Sequence, residues 1–410
     1  MPQDPQPSAD FIAEFLAYTE GTSSPDIFRQ WSAISMLAGA LERRVWIKTG
    51  RGLAFPNLYT LLVAPPGVGK FIIETVRELW TASCQPGTKI PAYRVAPDSM
   101  TKASLMDTLV KAKNIFLAPS GPPLISHSLL VAAEEFSVLM PTYDMEYIGS
   151  LNSIWCNKDL HEESRRTGSV RELKIEFPCL NILGGVQPSF LASTFPEEAW
   201  ASGLARRLIM VYSSEAPYKE LFYENTESAE IRGRLLARLT KLSTAYGQLG
   251  WTREAAEAIA DWDRVGGPPV PQHSKLAHYN RSRTQLVLKL IIISVLARTP
   301  KLLIELVDVR RAIAWLVDAE RLMPDIFREM IGKSDSQLLE ELHLYAHSTY
   351  IKSGKKPIYG QSLWRFLGER APSEKIERLI MVAERSNMIA RVAGADDMWI
   401  PRPKHTHGAE

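Results

Sequence analysis

Cysteine is scarce in this 410-residue chain: Cys84, Cys156 and Cys179 are its only three. Their wide spacing makes neither a zinc pattern nor a disulfide framework and fits a reducing, cytoplasmic setting. The eight histidines contain no HExxH and no Cys/His cluster, which excludes the common zinc motifs. Charge of one sign is also lacking. Lys plus Arg number 48 against 46 Asp plus Glu, a formal net of +2. No global polyanion-binding signature exists, so any nucleic-acid contact must come from local patches. Long apolar runs are missing too. The most apolar stretch, Leu286–Ala297, contains Lys289 and is too short to span a bilayer, so no membrane partner is expected. Residues 1–9 are polar and Pro-rich, unlike a signal peptide, and read with 403–410 as unstructured. What remains, 45% hydrophobic and 23% charged, is the composition of a soluble chain with a large core and two to four domains.

The chain is organised around Asn57–Lys70. An apolar run, Leu58–Val63, leads into Ala64, Pro65, Pro66, Gly67, Val68, Gly69 and Lys70, and a helical pattern follows from Phe71 to Ser83. Strand, glycine loop and helix N-terminus in that order form a phosphate-binding layout. Glycines let backbone N–H groups converge on phosphate oxygens. Lys70 supplies a cation for the terminal phosphates of ATP. Two positions depart from the usual loop. Ala64 replaces its first glycine. Phe71 stands where a Ser or Thr hydroxyl normally ligates Mg²⁺.

A second strand, Ser128–Ala133, ends in Glu134 and Glu135. Acids at such a strand tip serve Mg²⁺ (Glu134) and the attacking water (Glu135). A third, Cys179–Val186, ends at Gln187, a polar group suited to face a terminal phosphate and water. Arg206 and Arg207 precede a strand at Leu208–Tyr212 and suit an arginine finger reaching a neighbouring subunit. Strands near 58–64, 93–96, 128–133, 179–186 and 208–212 alternate with helical segments, predicting an α/β fold with a largely parallel sheet covered by helices. The ligand residues then fall at the carboxyl ends of strands.

Four segments and a tail are expected. Residues 1–50 form an N-terminal helical segment, with helices from Phe11 and from Asp26, and 51–215 the ATPase core. Residues 216–332 read as a helical lid in which His278–Leu296 carries Arg281 and Arg283, either of which could reach nucleotide. Residues 333–402 contain three helical patterns (Ser336–Tyr350, Gln361–Leu367, Ser373–Ser386) and a hairpin from Met388 to Ile400, the plan of a winged helix. Lys375, Arg378 and Arg385 on the third helix and Arg391 on the wing could meet DNA phosphates, while winged helices also dock proteins. Arg165 and Arg166 make a further basic pair, in an exposed loop or hairpin.

Phe28–Trp31, Pro56–Tyr59, the glycine loop, Glu134–Glu135, Leu180–Pro188 and Gly203–Arg207, in that order, resemble phage- and prophage-encoded replication ATPases, relatives of MCM-like AAA+ helicases. The resemblance covers roughly residues 10–400 through short motifs. It implies a P-loop NTPase of AAA+/RecA-like architecture that binds ATP and Mg²⁺ and works on DNA as a ring oligomer, commonly a hexamer, with other replication proteins. By position, Lys70 contacts phosphate, Glu134 and Glu135 are the acidic pair, Gln187 is the first sensor, Arg207 is the finger and Arg283 or Arg281 is the lid sensor. Helicase motor is the first reading. A hydrolysis-deficient scaffold or helicase loader is the alternative that Phe71 favours. A DNA-binding regulator acting through the winged helix is the third.

Overall fold

The computed structural model describes residues 10–402 apart from 98–99, 117–122, 137–138, 141–143, 157–158, 165–171, 196–199, 201–202, 220, 223–224, 369–372, 393 and 396. Arg165 and Arg166 lie outside the described residues. The chain divides into two compact units, one running to Phe327 and one beginning at Arg328.

The first unit contains, in order, α1 (Phe11–Tyr18), α2 (Asp26–Leu41), β1 (Val45–Thr49), β2 (Gly52–Ala54), β3 (Tyr59–Val63), α3 (Ile72–Ala82), α4 (Lys102–Lys111), β4 (Lys113–Phe116), β5 (Leu124–Ala133), α5 (Met145–Trp155), β6 (Leu160–Ser164), β7 (Glu172–Glu176), β8 (Pro178–Val186), α6 (Pro188–Thr194) and β9 (Leu208–Tyr212). The central sheet runs β4-β5-β8-β3-β9. Its last four strands are mutually parallel, and β4 is an antiparallel edge. All of β3, β8 and β9 is buried, which is why these segments read as unbroken apolar runs rather than alternating ones. The expected strand at 93–96 is a single parallel bridge, Val95 to Leu130, flanked by Ala96 N–H to Leu130 O (2.8 Å) and Leu130 N–H to Arg94 O (2.9 Å).

The N-terminal helices belong to the core. Every residue of α2 from Trp31 to Leu41 is buried. Ser35 Oγ donates to Thr60 Oγ1 (2.9 Å), and Trp80 Nε1 of α3 donates to Met36 O (3.1 Å). Pro25 stands at the N-cap of α2, with Asp26 in the first turn, where a carboxylate suits the helix dipole.

The helices between 216 and 321 are likewise part of the first unit. Ser228–Leu242 packs on α1, α2 and α3, and Arg283–Arg298 packs on α2. The continuous helix expected over His278–Leu296 is interrupted, as Ala277–Asn280 and then Arg283–Arg298. A helix over Leu306–Arg321 follows, and Met323–Lys352 spans the boundary between the units.

In the second unit, helices Gly360–Gly368 and Ser373–Arg385 and the later part of Met323–Lys352 pack around Leu342, Leu363, Ile376, Leu379, Ala383 and Trp399. Strands Ile358–Tyr359, Met398–Pro401 and Ile389–Arg391 form an antiparallel sheet in that spatial order. The two-residue strand at 358 is an addition to the expected hairpin.

Candidate functional site

The register of the sheet assembles the site. Val63 at the end of β3 lies beside Val186 of β8 and Tyr212 of β9, while Ala133 of β5 lies beside Gly184. The segments that follow, Ala64–Lys70, Glu134–Glu135 and Gln187, therefore leave the same edge of the sheet. Ala64 N–H extends the ladder to Val186 O (3.1 Å), fixing the start of the loop.

Within the loop, Gly67 has φ of 82° and open space around it, so glycine serves backbone conformation there. Gly69 serves close approach. A Cβ at Gly69 would overlap the Ser23 carbonyl oxygen and lie 2.7 Å from Ser24 Cα. Ser24 Oγ also donates to Gly69 O, so the turn between α1 and α2 supports the loop from below. Pro66 and Gly67 are exposed, Pro65 is half-buried, and Val68 is buried. Lys70 Nζ donates to the carbonyls of Ala64 (3.3 Å) and Pro65 (3.4 Å). Burial lowers the Lys70 pKa, and the Glu135 and Glu134 carboxylates oppose that shift.

Gly185 joins the two motifs. A Cβ there would overlap the Glu134 carbonyl oxygen and lie 3.1 Å from Lys70 Cδ. The stem of Lys70 thus passes β8 at Gly185, the second of two adjacent glycines in that strand. Desolvation raises the Glu134 pKa, neighbouring Glu74 and Glu135 raise it further, and Lys70 pulls it down. Glu135 and Gln187 line one cavity of about 390 Å³ with Ser189 and Phe190. Asn181, earlier in β8, is buried and accepts from Leu58 N–H (3.0 Å), a structural use. The edge can therefore offer an anion a lysine ammonium and a glycine-rich backbone on one side, with two carboxylates and an amide opposite.

Phe71 occupies the N-cap of α3 with no side-chain capping bond; the residue is 39% exposed and its ring has no oxygen to offer a cation. Among the described residues no cluster of three or more His, Cys, Asp or Glu side chains is arranged to hold a metal. Mg²⁺ in nucleotide sites needs less, one or two carboxylates with phosphate oxygens and water. Glu134 and Glu135 fit that requirement.

The arginines divide differently from expectation. β9 enters the sheet beside Tyr59 and leaves beside Val63, so Arg206 and Arg207 lie at the opposite end of the strands from the loop. Arg207 is buried and engaged: it donates to Asn152 Oδ1 (3.1 Å), Gly203 O and Cys156 Sγ (2.8 Å), and lies 5.3 Å from the centre of the Trp155 ring. Its donors are spent inside the first unit, and the exposed member of the pair is Arg206. Arg283 is likewise engaged inside the first unit. It is buried, forms a two-pronged pair with Glu320 (2.7 Å each) and donates to Gly267 O and Pro269 O. Arg281 lines a cavity of about 380 Å³ with Arg206 and the Arg51–Asp263 pair.

On the second unit, Lys375 (3.8 Å) and Arg378 (3.4 Å) both face Asp335. Arg391 pairs with Glu384 (3.5 Å) and lies over Trp399. Arg385 is exposed. Glu377 and Glu384 on the same helix border a cavity of about 300 Å³ with Trp364, Met381 and Trp399, so this helix is not uniformly basic.

Sequence reading missed Ser24, Glu74 and Gly185. The Gly184–Gly185 pair inside an apolar strand was the available signal, because glycine in a strand interior marks close approach of another group. Among the described residues no helix is long and apolar enough to cross a membrane. No family model matches the chain, and no curated protein matches it.

Proposed function

We propose that this chain is an ATP-binding P-loop protein of the AAA+ kind, acting in DNA replication of a phage or mobile element, with a helicase motor as the first reading. The observation that carries the proposal is Gly185, where β8 narrows so that Lys70 and Glu134 approach across it. A glycine loop and a lysine alone are compatible with an ordinary turn. A lysine led through a glycine gap toward two carboxylates at adjoining strand tips is what handling of a charged phosphate requires.

In this reading the Ala64–Lys70 backbone and the Lys70 ammonium hold the terminal phosphates. Bound ATP would supply the transferable phosphoryl group, and Mg²⁺ the neutralisation of its charge. Glu134 would hold the metal, with water in the place that Phe71 leaves without an oxygen. Glu135 orients and deprotonates water, and Gln187 positions it from across the shared cavity. In a ring of copies, Arg206 is the exposed arginine available to a neighbour's phosphates. The second unit, three helices and a small antiparallel sheet, is compatible with a winged helix that contacts DNA or a replication protein.

Phe71 favours a second reading, a hydrolysis-deficient scaffold or helicase loader that binds nucleotide without turning it over. One experiment separates the readings: Mg²⁺-dependent phosphate release with and without single-stranded DNA, for the native chain, Lys70→Ala and Phe71→Ser. A motor shows activity that Lys70→Ala abolishes, with nucleotide affinity falling roughly tenfold or more as a charge-assisted contact is lost. A scaffold shows binding without release, and Phe71→Ser raises release. Absence of nucleotide binding by the native chain refutes both.

A further inference from the structure

A second basic feature lies away from the glycine loop. Between α3 and α4, over Leu129 of β5 and the 91–95 segment, runs an open trough of about 570 Å³. Its cations come from three separate elements: Arg77 on α3, Arg94 beside the bridge to β5, and Lys111 at the end of α4. Among the described residues, no carboxylate lines it. Arg94 and Lys111 are exposed and have no ion pair among the described residues.

A described lining without a carboxylate sets the trough apart in a chain whose charges nearly cancel. Arg51, at the other basic cavity, is held by Asp263. Lys375 and Arg378 face Asp335, and Arg391 faces Glu384. Exposed cations such as Arg94 and Lys111, with no ion pair among the described residues, focus positive potential on a concave surface, and a polyanion gains most there because its binding releases condensed counterions. The trough is open rather than enclosed, and its cations stand on different walls, which suits a phosphodiester chain passing through more than a single captured phosphate. We propose that this trough binds the phosphate backbone of a nucleic-acid strand. Arg77 also fixes it to the acid-bearing strand, since its Nη1 donates to Ala132 O (3.2 Å), two residues before Glu134. The assignment deepens the replication reading by giving its nucleic acid a seat on the first unit, yet it stands on geometry independent of the nucleotide site.

The test is fluorescence anisotropy of a labelled oligo(dT) of about 20 nucleotides, longer than common single-strand site sizes, against the full chain from about 50 to 200 mM salt. Arg94→Gln with Lys111→Gln removes two phosphate contacts. The salt slope is expected to fall by about 1.4 and binding to weaken roughly 25-fold near 0.1 M salt. The same variant titrated with a fluorescent ATP analogue is expected to keep wild-type affinity, so failure of the trough and failure of the nucleotide reading are seen separately. Three results would overturn the proposal. The first is no oligonucleotide binding by the native chain at the lowest salt. The second is binding unchanged by the Arg94/Lys111 variant but lost in Lys375→Gln with Arg378→Gln. The third is inorganic tripolyphosphate binding that depends on Arg94 and Lys111 while the oligonucleotide binds elsewhere.

Discussion

Replacing Gly185 with alanine tests the geometry of the site most directly. The added methyl would overlap the Glu134 carbonyl oxygen and sit 3.1 Å from Lys70 Cδ. The lysine stem can bend away. The carbonyl is backbone, so restoring ordinary contact requires β8 and the end of β5 to separate by about 1 Å. Displacement of that size at a reacting centre costs on the order of 10²-fold in rate. Overpacking adds about 1–3 kcal/mol of destabilisation. Gly39→Ala is the matched control. Its methyl would lie 2.7 Å from Trp80 Cζ2 and 2.8 Å from Leu130 Cδ2, side-chain atoms in the core between α2 and its neighbours. A comparable stability loss, about 1–3 kcal/mol, is expected there without an effect on nucleotide handling. Urea unfolding followed by tryptophan fluorescence gives the stability, and titration with a fluorescent ATP analogue plus phosphate release gives the function. The reasoning is refuted if Gly185→Ala keeps native affinity and turnover, or loses no more of them than Gly39→Ala does.

Lys289 makes stability depend on alkaline pH. It is fully buried, Nζ donates to Phe55 O (2.9 Å) and Asn57 Oδ1 (2.5 Å), and burial pushes it down to about 7 from an ordinary 10.5. Between those values the unfolded chain holds a proton that the folded chain has released, so unfolding free energy is expected to rise with pH by up to about 1.4 kcal/mol per unit. Below about 7 both states are protonated and the penalty is constant. Lys289→Met should flatten the slope in urea unfolding above neutrality, and an unchanged slope contradicts the assignment. Arg283→Met leaves the Glu320 carboxylate buried without its partner and is expected to cost about 3–5 kcal/mol, much of it recovered by adding Glu320→Leu. Equal melting temperatures for the single and double variants would argue against that coupling.

The fold was legible where burial is uniform along a segment. β3, β8 and β9 are enclosed on both faces, so their apolar runs announced them to within a residue or two, and the polar tips after β5 (Glu134, Glu135) and β8 (Gln187) stood out by contrast. β4 was not legible. It is a four-residue edge strand whose side chains alternate between exposed and half-buried. The fate of individual arginines was hidden for a different reason. Arg207 is engaged by Asn152 and Cys156, about fifty positions earlier, and Arg283 by Glu320, 37 positions later. Whether a cation is spent internally or offered outward depends on those distant partners, which local pattern does not encode. Likewise, the anchoring of Lys289 to Phe55 and Asn57 just ahead of β3, 232 to 234 positions earlier, is a contact that local pattern does not encode.

The contact between Gly69 and the Ser23–Ser24 turn ties the chain's beginning to its chemistry. The floor of the glycine loop is not supplied by the strand and helix that flank it, but by a segment more than forty residues upstream. α1 and the turn after it are therefore a brace. Asp10 at the N-cap of α1 is itself held by Arg311 (2.6 Å), some three hundred residues downstream. A chain trimmed to begin at the first strand of the sheet would keep every residue of the motif and lose the surface against which the loop is shaped. The smallest unit able to present that loop is longer than the motif suggests, and it is closed by contacts between segments far apart in the sequence.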